Sequence, residues 1–464
     1  MKISIGVEEF GKIKKAEIEM GRLILFVGEN NSGKTFMMQL LYGVMSVIVK
    51  NSELSMKIVD KKDNDFVIDL EALIEWKNNI NAYLEREKEQ IVKDIFYREI
   101  PIGKIYVDIK DVDYTYLVDV KKSKLFHETQ EDKFDIISLE NEKEYYQEVE
   151  ILLRRKEENT DEIVTVRKAR LGGKIEQKLI DRYIVGFVIG DLLSVDHRLA
   201  GHRGDGLFLP ASRTGMQLLY KYFFAEKDNK LYTLENDIQT QSAKNQLGLS
   251  APIYDFLQFL LRFTPDSIIS KKNQKLLDFI EENLIDGTLK LSNEESYYIP
   301  KNSDQMIPLY LSSSLINELA PIVKMLSNIY PYENLYYDEI ETCLHPLKQK
   351  AMARLMIRMV NSGRRLVIST HSDSMAINLN NLLTLALGDW NEAHKQKKMH
   401  ELGLEDDDIL KTRDVHVYQF VNADDGTSSA TELDFRTANN LGYNFELFNE
   451  NLQKLSDDTI KIME

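Results

Sequence analysis

A glycine-rich loop near the start of this 464-residue chain carries its clearest chemistry. The loop fits the spacing G-x-x-x-x-G-K-[ST] and consists of Gly28, Glu29, Asn30, Asn31, Ser32, Gly33, Lys34 and Thr35. In this pattern the glycines let backbone N–H groups face phosphates, the lysine reaches the β and γ phosphates, and the hydroxyl binds Mg²⁺. The pattern therefore predicts binding of ATP and Mg²⁺ by these eight residues, with Thr35 as a metal ligand.

Two adjacent acids, Asp338 and Glu339, follow the apolar, strand-like stretch 335–337. Alone, such a pair is typical of a solvated loop. Together with a phosphate loop it indicates hydrolysis, because the first carboxylate holds Mg²⁺ through water and the second polarises the attacking water. We predict Asp338 as a metal ligand and Glu339 as the catalytic base, with Glu341 next in line.

A histidine and a run of serines complete the candidate site. His371 follows the strand-like stretch 365–369, and a neutral imidazole at the end of a strand can hydrogen-bond a γ-phosphate. We predict His371 as a catalytic residue. Ser312, Ser313 and Ser314 stand at the start of a helix-like stretch, where hydroxyls and N–H groups can bind an anion. The alternative for the serines is a simple helix cap.

The elements that must hold these residues alternate in type, which predicts an α/β fold with a parallel or mixed sheet. The predicted strands cover 2–7, 13–19, 23–27, 335–337, 365–369, 415–421 and 428–435. The predicted helices cover 35–43, 315–329 and 345–362, and the stretch 395–408 is predicted to be a solvated, charged excursion.

Other segments separate the phosphate loop from the acidic pair, and they suggest boundaries at 1–50, 51–200, 201–310 and 311–464. The segment 51–200 is charged and of undetermined fold, with a helix expected at 70–96, strand-like residues at 104–118 and a charged helix at 142–156. In 201–310 we expect a short apolar run at 207–210, helices at 216–226 and 253–283, and loops at 286–303.

Charge and composition narrow the class of protein. Lys and Arg total 59 against 75 Asp and Glu, so the formal charge is −16, the wrong sign for non-specific binding to nucleic-acid phosphates. Apolar residues (43%) and charged residues (29%) are typical of a folded chain. No apolar stretch reaches the roughly 18 residues that cross a bilayer. An acidic N-terminus and the single Cys343 favour a cytoplasmic protein with no membrane partner.

The motifs occur in the order and spacing of ABC-type ATPase heads. The chain resembles their SMC-like branch, and most closely the OLD-type (overcoming lysogenisation defect) ATPases of prokaryotic anti-phage defence. The matching segments are 28–35, 209–213, 311–318, 338–346 and 369–372. The resemblance implies an ABC-type P-loop head with flanking helices, inserted α+β and helical segments, and slow ATP hydrolysis. The segment 51–199 matches nothing in that family.

Carried over by position, the resemblance makes Ser312 to Ser314 the signature that closes on the ATP of a second subunit. It makes 341–345 the D-loop and His371 the switch histidine. The signature departs from the pattern of ABC transporters, because Ser314 stands where they prefer glycine.

The Q-loop position has no obvious glutamine. It offers Ser212 and Arg213 after Leu209-Pro210, and Gln217 is a weaker candidate. We predict that Arg213 contacts phosphate or a water linked to Mg²⁺, with a surface salt bridge as the alternative.

The first functional hypothesis is an ATP-gated switch in anti-phage defence. The resemblance implies a homo-oligomer joined by an ATP sandwich, a separate effector such as a TOPRIM-type nuclease, and a phage trigger protein. About 90 residues follow His371, and part of them must close the ATPase sheet, so an intrinsic nuclease domain is not expected. The acidic run 405–408 is predicted to be solvated rather than metal-binding.

The alternative is a DNA-repair or DNA-tethering ATPase of the RecF or SMC-head type. Its DNA surface would include Arg154, Arg155, Lys156, Arg167, Lys168 and Arg170, which otherwise belong to a solvated face. DNA binding therefore stays open. A transporter subunit is the third hypothesis, and the missing glycine signature disfavours it.

Overall fold

The computed structural model of the chain describes residues 2–50, 59–62, 65–110, 115–122, 126–127, 145–156, 161–172, 176–192, 206–233, 248–292, 295–330, 332–437, 442–445, 457–458 and 460–462. The chain forms two compact units. The first consists of Met1–Gly6, Val44–Lys88 and Ile105–Asp205, and the second of Val7–Gly43, Glu89–Lys104 and Gly206–Glu464. Within the described ranges, no helix has both the length and the apolar character that a bilayer crossing requires.

The second unit alternates strands and helices along the chain. Its strands are β2 (Ile13–Glu19), β3 (Leu23–Gly28), β11 (Leu207–Leu209), β12 (Gly287–Lys290), β13 (Tyr297–Pro300), β14 (Ile307–Pro308), β15 (Asn334–Tyr337), β16 (Arg365–Thr370), β17 (Val415–Asn422), β18 (Ser428–Glu432), β19 (Phe435–Arg436) and β20 (Gly442–Tyr443). Its helices are α4 (Arg213–Thr233), α5 (Ala251–Arg262), α6 (Ser267–Lys272), α7 (Gln274–Ile280), α8 (Ser314–Ser327), α9 (Pro346–Asn361), α10 (Asp373–Leu387) and α11 (Glu392–Leu402). Four elements have residues in both units, namely β1 (Lys2–Phe10), α1 (Lys34–Lys50), α2 (Leu70–Phe96) and β6 (Lys104–Lys110).

The main sheet of the second unit confirms the predicted α/β class. Its strand order is β11-β15-β16-β3-β17-β18-β2-β1, and the pairs from β11 to β17 are parallel. All six residues of β3 are buried, as its unbroken apolar sequence predicts for a central strand. Parallel β3, β15 and β16 end at the same edge of the sheet. That edge carries the phosphate loop, the acidic pair and His371.

The first unit contains an antiparallel sheet of order β10-β9-β7-β5-β4, with β8 beside β9. Its strands are β4 (Val59–Lys62), β5 (Asp65–Ile68), β7 (Thr115–Lys122), β8 (Phe126–His127), β9 (Tyr145–Lys156) and β10 (Asp161–Gly172). It also holds residues 105–110 of β6, which lies next to β1, and α3 (Gln177–Leu192).

The charged helix predicted over 142–156 is wrong, because residues 145–156 form the strand β9. Val149, Ile151 and Leu153 are buried while the residues between them are more exposed, a period of two that belongs to strands. Residues 142–144 lie outside the described ranges.

The prediction of loops over 286–303 is also wrong in part, because β12 and β13 pair as antiparallel strands there.

The acidic run 405–408 is not wholly solvated, which corrects the sequence interpretation. Residues 406–408 form a 3-10 helix whose last member, Asp408, is fully buried. Arg354 Nη2 and Arg358 Nε each donate to Asp408 at 2.7 Å, so two guanidinium groups on α9 compensate its charge. The two arginines lie about 50 residues before Asp408 in the chain, so a local sequence pattern could not predict that Asp408 is buried.

Candidate functional site

The phosphate loop joins the buried end of β3 to the start of α1. Gly28 has a φ of 140°, and a Cβ there would lie 2.3 Å from the carbonyl oxygen of Phe420, so only glycine fits. Lys34 Nζ donates to the carbonyls of Gly28 and Glu29 at 2.8 and 2.7 Å. Burial lowers the pKa of Lys34, although nearby carboxylates oppose the shift. The ammonium is thus folded back onto the loop.

Two residues that sequence reasoning missed hold the loop in place. Asn422 on β17 donates to Glu29 Oε2 at 3.0 Å, and Lys12 Nζ donates to Asn422 Oδ1 at 2.9 Å. Lys12 Nζ also donates to the carbonyl of Asn31. Lys12 and Asn422 lie at opposite ends of the chain, so no spacing in the sequence could have identified them.

Asp338 lies at the end of β15 directly beside the phosphate loop. Thr35 Oγ1 donates to its two carboxylate oxygens at 2.8 and 3.0 Å, and Ser369 Oγ, near the end of β16, donates at 2.6 Å. Burial raises the pKa of Asp338, and the hydrogen bonds from Ser369 and Thr35 oppose that shift. A hydroxyl and a carboxylate so close together form the oxygen donor set that Mg²⁺ prefers. The sequence prediction did not include Ser369.

Glu339 follows Asp338 directly, and its Oε2 accepts a hydrogen bond from Thr342 Oγ1 at 3.5 Å. Its φ is 47°, an uncommon value for a residue with a side chain, and its N–H donates to Ser369 Oγ at 2.9 Å. The Glu339 side chain is 35% exposed, so water can reach it. A general base needs that access.

His371 pairs with Glu341 more closely than with Glu339. His371 Nδ1 lies 3.0 Å from Glu341 Oε1 and 3.9 Å from Glu339 Oε1, and the His371 N–H donates to Glu341 Oε1 at 2.7 Å. The hydrogen bond with Glu341 raises the pKa of His371. Burial would raise the pKa of Glu341, but the hydrogen bonds from His371 outweigh it and lower that pKa. The imidazole of His371 and the carboxylates of Glu339 and Glu341 therefore form one cluster at the ends of the strands.

Arg213 is fully buried, and its contact with phosphate or with a water linked to Mg²⁺ stays a prediction. Its guanidinium donates to the carbonyls of Asp338 at 2.7 Å and Glu339 at 2.9 Å, and it pairs with Glu318 on α8. The guanidinium carbon lies 4.4 Å above the ring of Tyr337. A surface salt bridge is not what the structure shows. Arg213 instead connects the acidic strand end to the helix that follows the serine run.

The serine run lies at the N-terminus of α8. Ser313 is the cap residue, its side chain makes no capping hydrogen bond, and Ser313 and Ser314 are exposed. Ser312 Oγ donates to the carbonyl of Pro308 at 3.1 Å. Within the part of the chain that the structure describes, no hydrogen bond joins the three serines to the phosphate loop. Two hydroxyls and the helix N-terminus therefore face outward.

The other two Q-loop candidates, Ser212 and Gln217, differ in how far they are buried. Ser212 is exposed immediately before α4. Gln217 is buried, and its Oε1 has no hydrogen-bond partner among the residues that the structure describes.

The sequence profile of the AAA ATPase domain family, AAA_15, matches residues 1–376. A search of curated proteins found no match. Among solved structures, the chain is similar to an SMC head bound to the C-winged helix domain of ScpA, with 12% identity over 93% of this chain and 97% of that chain and a TM-score of 0.35.

Two further SMC heads show comparable likeness. The SMC head domain from Thermotoga maritima is 11% identical over 94% of this chain and 100% of that chain, with a TM-score of 0.33. The Smc head domain with an extended coiled coil, bound to the C-terminal domain of ScpA derived from Pyrococcus furiosus, is 11% identical over 99% of both chains, with a TM-score of 0.33. TM-scores this low establish no shared fold. The profile match, which covers most of the chain and includes the phosphate loop, the acidic pair and His371, shows that the chain belongs to the AAA ATPase domain family.

Proposed function

We propose that the chain is a Mg²⁺-dependent ATPase that acts as a switch, with two subunits associating around bound ATP. The observation that carries the proposal is the meeting of Thr35 with Asp338 at 2.8 Å, because it brings a phosphate loop and an acidic strand end into one site. Glu339 and His371 lie at the same edge of the sheet. In this proposal the chain binds ATP and hydrolyses it slowly to ADP and phosphate.

In the proposed site each residue has a separate task. Lys34 supplies positive charge to the β and γ phosphates, and the backbone of residues 28–33 surrounds them. Thr35 and Asp338 supply the oxygen atoms for Mg²⁺, which would neutralise charge on the phosphates. Glu339 takes the proton of the attacking water. His371, held by Glu341, contacts the γ-phosphate.

The exposed serine run is the reason to propose an ATP sandwich. Ser313 and Ser314 offer hydroxyls, and the N-terminus of α8 offers N–H groups. Among the residues that the structure describes, none of these groups bonds to the phosphate loop of the same subunit. A helix N-terminus attracts anions. We propose that this one meets the γ-phosphate bound by a second subunit.

The wider role that we propose is an anti-phage switch. It rests on the resemblance to OLD-type ATPases and, in size and layout, to the ATPase subunit of the PARIS system. In that role the oligomer holds or releases a separate effector, a TOPRIM-type nuclease, in response to a phage trigger protein in the cytoplasm. A nuclease gene next to the gene for this chain would support the role, whereas a replication gene would favour the RecF or SMC-head alternative.

Static light scattering with ATP and Mg²⁺ tests the sandwich. In a Glu339→Gln background, which preserves bound ATP, we expect ATP to raise the molar mass to that of a dimer or larger. Adding Ser313→Arg should prevent this by bulk while the subunit still binds ATP. Ser303→Arg, on an exposed loop, is the matched control and should associate normally. Equal association of all three proteins would place the interface elsewhere.

A further inference from the structure

Four polar residues meet at the edge of the main sheet that lies opposite the phosphate loop. Glu19 ends β2, Asp414 directly precedes β17, His416 lies on β17 and Glu432 ends β18. His416 pairs with Ile24 near the start of β3, whereas the phosphate loop follows the end of β3. This cluster therefore belongs to no part of the nucleotide site. We propose that it binds one divalent transition-metal ion, best matched by Zn²⁺, which stabilises this part of the fold by joining the strands.

The spacing of the donor atoms fits a zinc ion. His416 Nε2 lies 3.2 Å from Glu19 Oε1 and 3.4 Å from Asp414 Oδ1. Zinc bonds to nitrogen and oxygen of about 2.0–2.1 Å in a tetrahedron place neighbouring donors about 3.3 Å apart. Both carboxylate oxygens thus lie at the distance from Nε2 that is expected for ligands sharing one ion. A water molecule would supply the fourth position.

The fourth residue orients the histidine. His416 Nδ1 lies 2.7 Å from Glu432 Oε1. With zinc bound, an N–H at Nδ1 would donate to this carboxylate, and Nε2, which lies near Glu19 and Asp414, would give up its proton to bind the metal. A carboxylate behind a metal-bound histidine is the usual outer partner in zinc sites. Donor atoms of Glu19, His416 and Glu432 all lie within 4.8 Å of one another, so the group is compact.

The backbone holds the cluster in place and makes room for it. Asp414 Oδ2 accepts a hydrogen bond from the N–H of Arg22 at 3.0 Å, and the N–H of Glu19 donates to Tyr418 Oη at 2.7 Å. A Cβ on Gly21 would lie 2.7 Å from His416 Cδ2 and 2.8 Å from Asp414 Oδ1. Glycine at 21 therefore lets the imidazole and the carboxylate approach the chain closely.

Burial and charge favour a transition metal over the alternatives. The side chains of His416 and Glu19 are 7% and 13% exposed, whereas Asp414 and Glu432 are 36% and 43% exposed and leave a path for the ion. An imidazole among carboxylates suits zinc, while Mg²⁺ and Ca²⁺ prefer oxygen ligands alone. Three carboxylates also outnumber one imidazole, and a dication compensates their charge.

Calorimetric titration of the full chain with ZnCl₂, after removal of metal by a chelator and without nucleotide, tests the proposal. We expect one Zn²⁺ per chain, no comparable heat with MgCl₂, and a rise in melting temperature with zinc. Co²⁺ in place of zinc should give the visible absorption of a tetrahedral site.

Variants separate the cluster from adventitious binding. His416→Gln and Asp414→Asn should abolish the stoichiometric binding, and Glu432→Gln should weaken it by about tenfold or more. His400→Gln, at an exposed histidine, is the matched control and should bind normally. Asp414→Asn and Glu432→Gln alter partly exposed side chains, so they test the site even if His416→Gln fails to fold. A wild-type chain that binds no zinc, or His416→Gln and Asp414→Asn chains that bind it unchanged, would show a metal-free cluster of ion pairs instead.

Discussion

Asp338 is the residue on which the hydrogen bonds of the nucleotide site converge. Thr35 reaches it from the phosphate loop and Ser369 from the neighbouring strand, so two elements far apart in sequence fix one carboxylate. Burial of this carboxylate would be costly without those donors. Lys34, on the phosphate loop beside Asp338, is the cation that we propose for the phosphates.

Replacing Lys34 with alanine should remove ATP binding. The change deletes the ammonium that donates to the carbonyls of Gly28 and Glu29, and with it the charge that we propose for the β and γ phosphates. Isothermal titration with ATP and Mg²⁺ should lose its binding isotherm in Lys34→Ala. Lys15→Ala, at an exposed lysine on β2, should keep the wild-type isotherm. Wild-type affinity in a folded Lys34→Ala chain would argue against the phosphate-loop assignment.

At the scale of elements, Arg213 ties α4 to the end of β15 and to α8. Its guanidinium donates to the carbonyls of Asp338 and Glu339 and pairs with Glu318 on the serine helix. Thr214 Oγ1 also donates to Glu318, at 2.5 Å. Buried contacts therefore connect α8 to the backbone that carries the proposed base, Glu339.

Arg213→Lys should slow hydrolysis more than it weakens ATP binding. Lysine keeps the charge but lacks the planar fork that reaches two carbonyls and a carboxylate together. Misplacing the backbone of Glu339 by about 1 Å can cost up to about 100-fold in kcat. Steady-state kcat and a separate ATP titration measure the two effects. The opposite result, a weaker ATP affinity at unchanged kcat, would contradict this role and support the phosphate contact that the sequence predicts for Arg213.

Asp408→Asn should destabilise the second unit. It leaves the guanidinium groups of Arg354 and Arg358 without their buried carboxylate, a loss that typically costs about 3–5 kcal/mol. Asp407→Asn is the matched control, since Asp407 is 37% exposed and pairs with Lys411 at the surface. Urea unfolding followed by circular dichroism should separate the two variants. Equal midpoints would mean that the buried pairs contribute nothing.

The same carboxylate predicts a pH dependence. Burial would raise the pKa of Asp408, but hydrogen bonds from Arg354 and Arg358 outweigh it and lower that pKa below its unfolded value. The stabilisation is therefore present above the unfolded pKa of about 3.9 and is lost as the pH falls through the folded pKa. The stability difference between wild type and Asp408→Asn should shrink below about pH 4.

For the molecule as a whole, local sequence patterns could predict which residues lie together at the carboxyl ends of the parallel strands. A strand followed by G-x-x-x-x-G-K-T and two later strands ending in Asp338 and His371 suffice, because parallel strands of one sheet end on the same side. Partners without local spacing could not be predicted. The burial of Arg213 against Glu318 depends on packing between distant helices, and the burial of Asp408 depends on α9.

Phosphate release by the wild-type chain and by Glu339→Gln, measured at equal ATP occupancy with Mg²⁺, tests the proposed ATPase most directly. We predict slow, Mg²⁺-dependent release by the wild type. Glu339→Gln should bind ATP with unchanged affinity and release phosphate about 100-fold or more slowly, because the general base is lost. Glu392→Gln, at an exposed glutamate, should match the wild type. A wild-type rate in Glu339→Gln, or no Mg²⁺-dependent release by the wild type, would contradict this account.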